Sequence, residues 1–140
     1  MDRGIQLTVT YHDIDMLQLS ALAWNGEFGG AAKPYVGIGA LKEAAAQLSG
    51  FPRDPSDTRE VTLGTFGPRA AGGGISMRFF CTDNAGHARV EVKMESDSLT
   101  DERLQSVTLW LAVEAAAVDR FVDDLRRLER DKAGTAVLDI

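Results

Sequence analysis

From Ile5 to Tyr11 apolar and polar residues alternate, with Ile5, Leu7, Val9 and Tyr11 set against Gln6, Thr8 and Thr10. A period of two predicts a half-buried strand that turns those four apolar side chains to one face. His12-Asp13-Ile14-Asp15 then reads as a polar turn. A second strand follows from Met16, with Leu17, Leu19, Ala21 and Ala23 on one face. Asn25-Gly26 is a hairpin signal, because both residues tolerate the positive φ of a tight turn. The chain is expected to return as a strand ending near Tyr35-Val36.

Ile38, Leu41, Ala45, Leu48 and Phe51 recur at helical spacing, and Gly50 with Pro52 supplies the stop. Pro52 to Arg59 is a polar loop, and Glu60 to Phe66 alternates again. Gly67-Pro68 opens a glycine-rich stretch through Gly72-Gly73-Gly74, whose composition suggests mobility. Ile75, Met77, Phe79 and Cys81 alternate on the next strand, and Ala88, Val90, Val92 and Met94 on its partner. The connector Asp83-Asn84-Ala85-Gly86 is a four-residue loop with glycine where a positive φ is needed. Pairing Thr82 with His87 sets Phe79 opposite Val90, Met77 opposite Val92, Arg78 opposite Glu91 and Phe80 opposite Arg89. A slip of one residue would mix the two faces, so the pattern selects this register.

Ser96 to Arg103 is polar and acidic, a loop or an irregular crossing, followed by a strand through Val107, Leu109, Leu111 and Val113 whose apolar character suggests cover on both faces. From Glu114 the period becomes helical, with Val118, Phe121, Val122, Leu125 and Leu128 in one stripe. Gly134 ends that helix, and Thr135 to Ile140 is an apolar tail suited to pairing with the sheet. The expected fold is one α+β domain over residues 1–140, an antiparallel sheet of about six strands with two helices packed on it.

A chain of 140 residues with 44% hydrophobic side chains has enough material for its own core. Its single cysteine excludes an internal disulfide and a multi-thiol zinc site. The net charge of −6 counts against a nucleic-acid partner, which needs an electropositive face. The start lacks a continuous apolar stretch, and the longest apolar run, Leu109 to Val113, is too short to span a bilayer. A cytoplasmic protein without membrane contact is therefore expected.

Few residues suggest chemistry. His87 has Asp83 four positions before it and Glu91 four after, but four strand residues separate His87 from Glu91 by roughly 13 Å, which excludes a catalytic hydrogen bond between them. His12, Asp13 and Asp15 lack the further oxygens of a calcium loop and the nitrogens of a zinc site. Cys81 shares the face of Phe79 and Met77, where apolar surroundings raise its pKa and make it inert. Gly37-Ile38-Gly39 has Lys42 where a dinucleotide fingerprint needs its third glycine. No catalytic residue, cofactor or metal site is expected. Arg78, Phe80 and Arg89 form a basic-aromatic cluster, and with His87 and Glu91 they are the candidate contact for a partner.

Tyr35-Val36, Leu41…Leu48-Ser49-Gly50-Phe51-Pro52, Cys81-Thr82-Asp83…Gly86-His87-Ala88-Arg89-Val90-Glu91-Val92 and the amphipathic stretch Val118 to Leu128 follow one another in an order that resembles WapI-type bacterial immunity proteins and related bacterial proteins. The resemblance implies an α+β protein without enzymatic activity or cofactors that blocks a toxin by binding it. A basic toxin domain would suit the acidic chain. Two other readings compete with it. One is a small-ligand-binding domain or enzyme with a pocket between sheet and helices; the other is a homo-oligomer joined through a strand edge or the Trp24 or Trp110 region.

Overall fold

The computed structural model describes residues 2–100 and 104–140. Its elements are β1 (Gly4–His12), β2 (Met16–Trp24), β3 (Gly29–Ala32), β4 (Tyr35–Gly37), α1 (Ala40–Leu48), β5 (Thr58–Gly64), β6 (Gly74–Cys81), β7 (Ala88–Glu95), β8 (Ser106–Val113), α2 (Ala115–Asp131) and β9 (Thr135–Asp139). All strand pairs are antiparallel, and the helices are the two expected ones. The expected single sheet is in fact two. One has five strands in the order β3-β2-β1-β9, with β4 also on β2, and the other has four in the order β5-β6-β7-β8.

The first sheet has an interrupted edge where it meets the second. The return strand after Trp24 breaks at Lys33-Pro34, so β3 and β4 share one edge of β2, where the Pro34 carbonyl accepts the Leu19 N–H at 2.9 Å. Proline cannot donate to a ladder, which suits it to such a break. Beyond this edge β3 lies against β7 and β8, and β4 against β5, so the first sheet abuts the second without pairing to it. The inner faces of both sheets and the apolar sides of α1 and α2 merge into one core, with Leu7, Leu19, Met77, Phe79, Leu41 and Phe121 fully buried.

The β6–β7 hairpin has the register that its alternation selects, from Phe80↔Arg89 through Met77↔Val92, and Gly86 takes φ 88° in the connector. The α2 stripe Val118, Phe121, Val122, Leu125 and Leu128 is buried, and the tail pairs with β1 as β9. Three expectations change. A bulge shifts the β1–β2 register between Val9 and Tyr11, so Val9 faces Leu19 but Tyr11 faces Gln18. Tyr11 thereby leaves the core face and joins the outer one, as the extra residue of a bulge requires. Ile38 precedes α1 and is exposed, and β8 is covered on one face only, leaving Trp110 out.

Side chains close the element ends. Glu129 of α2 accepts the N–H groups of Leu41 and Lys42, at 3.1 and 3.3 Å, in place of a local cap on α1. The Arg59 guanidinium donates to the carbonyls of Gln47 and Ser49 at the other end of α1 and pairs with Asp57 at 2.8 Å. On the free edge of β9, Asp124 accepts the Val137 N–H and Arg127 donates to the Thr135 carbonyl, both at 3.1 Å. On that of β8, the Asn25 amide donates to the Trp110 carbonyl at 3.2 Å.

The glycine-rich stretch is tied down. Glu95 accepts the Gly67 N–H at 2.6 Å, Gly72 accepts from Lys33 at 2.8 Å, and Gly73 accepts from Thr65 at 2.9 Å. Gly73 has φ 72°, and a Cβ there would collide with the Glu95 carbonyl. Ser98, fully buried, accepts the Ala70 N–H at 3.0 Å and donates to the Gly67 carbonyl at 3.3 Å. Among the described residues no helix is long and apolar enough to cross a membrane.

Two outcomes are expected. Ser98→Ala strands a buried Ala70 N–H and loses about 1–3 kcal/mol in urea unfolding; an unchanged midpoint would mean that the stretch is not held through Ser98. Asp57, held at about 2 by hydrogen bonds from Arg59 and the Arg53 N–H, lies below its ordinary 3.8. Its depressed folded pKa adds stability above pH 3.8 that is lost as pH falls toward about 2. Asp57→Asn is therefore expected to lower stability at pH 7 but hardly at pH 2, by urea melts at the two pH values.

Candidate interaction surfaces

Alternation makes the outer face of the second sheet polar, and register turns its polar residues into a grid. One row runs Glu60–Arg78–Glu91–Trp110, and the next Thr58–Phe80–Arg89–Ala112. The five residues proposed from sequence as partner contacts therefore come together at this end of the sheet, with His87 just before β7. The Arg78 guanidinium carbon lies 4.7 Å from the Phe80 ring centroid, and Arg78 also meets Glu91 at 3.4 Å. Trp110, considered from sequence only as part of a homo-oligomer contact, adds a half-exposed indole beside Glu91.

At the connector, His87 Nδ1 sits 2.6 Å from Asp83 Oδ2. The spacing of four that fails along a strand succeeds across a turn. That hydrogen bond and the charge of Asp83 raise the His87 pKa above 6.5, with Glu114 adding to it, and the same bond lowers Asp83 below 3.8. His87 and Arg89 line an open cleft of about 410 Å³ with Arg3, Thr82, Ala112 and Glu114. A groove of about 400 Å³ between α1 and β5 is lined by Glu43, Gln47, Glu60 and Thr62.

The other candidate residues behave as packing predicts. Cys81 is half-buried against the core, and desolvation, together with Asp57 and Asp54, raises its thiol pKa. Among the described residues no group of three or more His, Cys, Asp or Glu side chains is placed to hold a metal ion.

The His12-Asp13-Ile14-Asp15 turn is more than a connector. Asp13 Oδ1 accepts the N–H groups of Asp15 and Met16 at 2.8 and 2.9 Å, and Oδ2 accepts the Tyr11 hydroxyl at 3.0 Å. These bonds, the one from Asp15 first, hold the Asp13 carboxyl below 3.8 and, through the hydroxyl, raise Tyr11 above 10.0. Tyr11 faces Gln18, which faces Tyr35, so both rings share the outer face of the first sheet. Tyr11 is 51% exposed, Ile14 91%, Tyr35 40% and Ile38 44%. Sequence spacing hides this group, because the bulge reverses Tyr11 and only folding brings Tyr35 and Ile38 beside it.

The His87–Asp83 bond has a pH signature. His87, whose folded pKa is raised, contributes stability below pH 6.5 that is lost as pH rises through the folded value. Asp83, whose folded pKa is lowered, contributes above pH 3.8 and loses it on acidification. An NMR titration of the His87 ring should give a midpoint above 6.5 that falls in Asp83→Asn; an equal midpoint in the two proteins would mean that the bond does not form in solution. No protein-family model matches this chain, and neither a curated protein nor a solved structure matches it.

Proposed function

We propose that this chain is a non-enzymatic bacterial protein of the cytoplasm that acts by binding another protein, as an immunity factor neutralising a basic toxin domain. The observation that carries the reading is the uncovered face of the second sheet, where Trp110, Phe80, Arg78 and Arg89 stand in adjacent register positions. Tryptophan, other aromatics and arginine are the residue types enriched at the centres of protein interfaces. The net charge of −6 supplies long-range attraction toward a basic partner.

A second reading is a site for a small ligand. It is favoured by the cleft in which Arg3, His87 and Arg89 stand beside Glu114. Such a ligand would raise the melting temperature of the protein in a thermal-shift screen, and substitution of Arg3 would abolish the rise.

Affinity capture from host lysate tests the leading reading, with Trp110→Ala as the matched variant. One basic partner in stoichiometric amount is expected with the parent protein, and about tenfold less with the variant, as for an interface anchor. Equal recovery by both proteins would remove this face from the interface. Recovery of the bait alone would count against the immunity role.

A further inference from the structure

We infer that the end of the first sheet around Tyr11, Asp15 and Tyr35 is a docking surface for an arginine-bearing segment of a basic protein. The inference rests on the reading that this chain binds protein, and it places a second contact on a different sheet from Trp110.

Single exposed apolar side chains are ordinary, but contiguous ones are not. Of the nine large apolar side chains exposed among the described residues, Tyr11, Ile14, Tyr35 and Ile38 lie at this one end. The turn and β4 approach each other closely, the Ile38 N–H donating to the Asp15 carbonyl at 3.3 Å. Residues 11–18 and 35–38 carry two carboxylates, Asp13 and Asp15, and neither lysine nor arginine. Lys33, exposed two residues before Tyr35, is the nearest cation along the chain, so the surface is apolar and aromatic, with its acidic groups confined to the turn.

The two carboxylates differ in what they have left to give. Asp13 is spent on its own turn and on the Tyr11 hydroxyl, which holds the ring in place before any partner arrives. A ring ordered in advance loses less freedom on binding. The Asp15 side chain is exposed and makes no hydrogen bond or ion pair among the described residues, so its carboxylate is open to a cation. Tyr11 and Tyr35 stand on strands either side of β2, roughly 10 Å apart at two strand spacings. Gln18 lies between them. A guanidinium laid over Gln18 can stack on either ring, donate to the Gln18 carbonyl oxygen and face the acidic turn. Arginine suits this geometry better than lysine, because its planar group stacks and donates at once. The bulge supports the same conclusion: without it Tyr11 would point into the core, and bulges commonly re-aim a side chain toward a functional surface.

The probe is a fluorescein-labelled oligoarginine peptide, titrated by fluorescence anisotropy at low ionic strength against the folded, full-length chain. Saturable binding is expected, weaker by about fivefold or more in Tyr11→Ala/Tyr35→Ala, the scale of one or two exposed cation–π contacts. Asp15→Asn should weaken it to a similar degree. Asp123→Asn removes an exposed carboxylate from α2 instead and should leave binding unchanged. Tyr11→Phe, which keeps the ring and loses only the bond to Asp13, should retain most of the affinity and guards against a folding defect in the alanine variant. Equal weakening by Asp123→Asn and Asp15→Asn would reduce the effect to overall charge and overturn the inference. So would full binding by the double alanine variant, or no saturable binding by the parent. If Trp110→Ala alone abolished peptide binding, the inference would fall while the protein-binding reading stood on the other sheet; loss of that reading shows separately, in the lysate capture.

Discussion

Two sheets and two helices must bury their apolar sides against one another, and everything else in the structure follows from that shared core. The chain builds the first sheet, adds α1, lays down the whole second sheet and α2, and only then returns to complete the first sheet with β9. The first sheet is not finished without residues from the far end of the chain. Leu41 and Leu48 from α1, Phe121 and Leu125 from α2 and the inner positions of both sheets form one continuous cluster. Burial of such side chains contributes about 1.5–3 kcal/mol each, more than any polar contact at the surface supplies.

Polar contacts then choose among the packings that the core would allow. Glu129 links the last turns of α2 to the first turn of α1, Arg59 links β5 to the last turn of α1, and Asp124 with Arg127 links α2 to β9. Each gives a partner to a backbone group at an element end or a free strand edge, and each joins one element to another. A typical hydrogen bond of this kind contributes about 1 kcal/mol net, but an unmet buried group costs more. Side chains also reach the edges of β8 and β9, while the outer faces of the sheets carry the exposed aromatic rings of Tyr11, Tyr35 and Trp110.

Much of this was legible in the sequence where alternation was unbroken. The β6–β7 register and the buried stripe of α2 follow from local periodicity, and the tail joins the sheet as its apolar character suggested, though its partner β1 was not legible. The division into two sheets was not, because nothing local marks which strands meet. The glycine-rich stretch misled for a related reason. Glycine composition signals freedom, but Gly73 is there because the Glu95 carbonyl leaves no room for a side chain. At the candidate surfaces, Arg78, Phe80, Arg89 and Glu91 were placed by register alone. The Asp83–His87 bond needed the turn, and the Tyr11–Tyr35 row needed both the bulge and the long return to β4.

The bulge at the end of β1 also separates two kinds of constraint within one strand. Residues from Ile5 to Val9 must keep the phase of the sheet, since any change of parity would send polar groups into the core. Beyond Thr10 the phase is shifted by one: Tyr11 and His12 still pair with Gln18 and Leu17, but with the opposite face outward, and the turn that follows is held by Asp13. The hairpin tip can therefore accumulate substitutions at a rate that the first half of the strand cannot. In a lineage whose binding target changes, diversification would concentrate at exposed tip positions such as Tyr11, Ile14 and Asp15 and leave Ile5 to Val9 and the turn-holding Asp13 as they are.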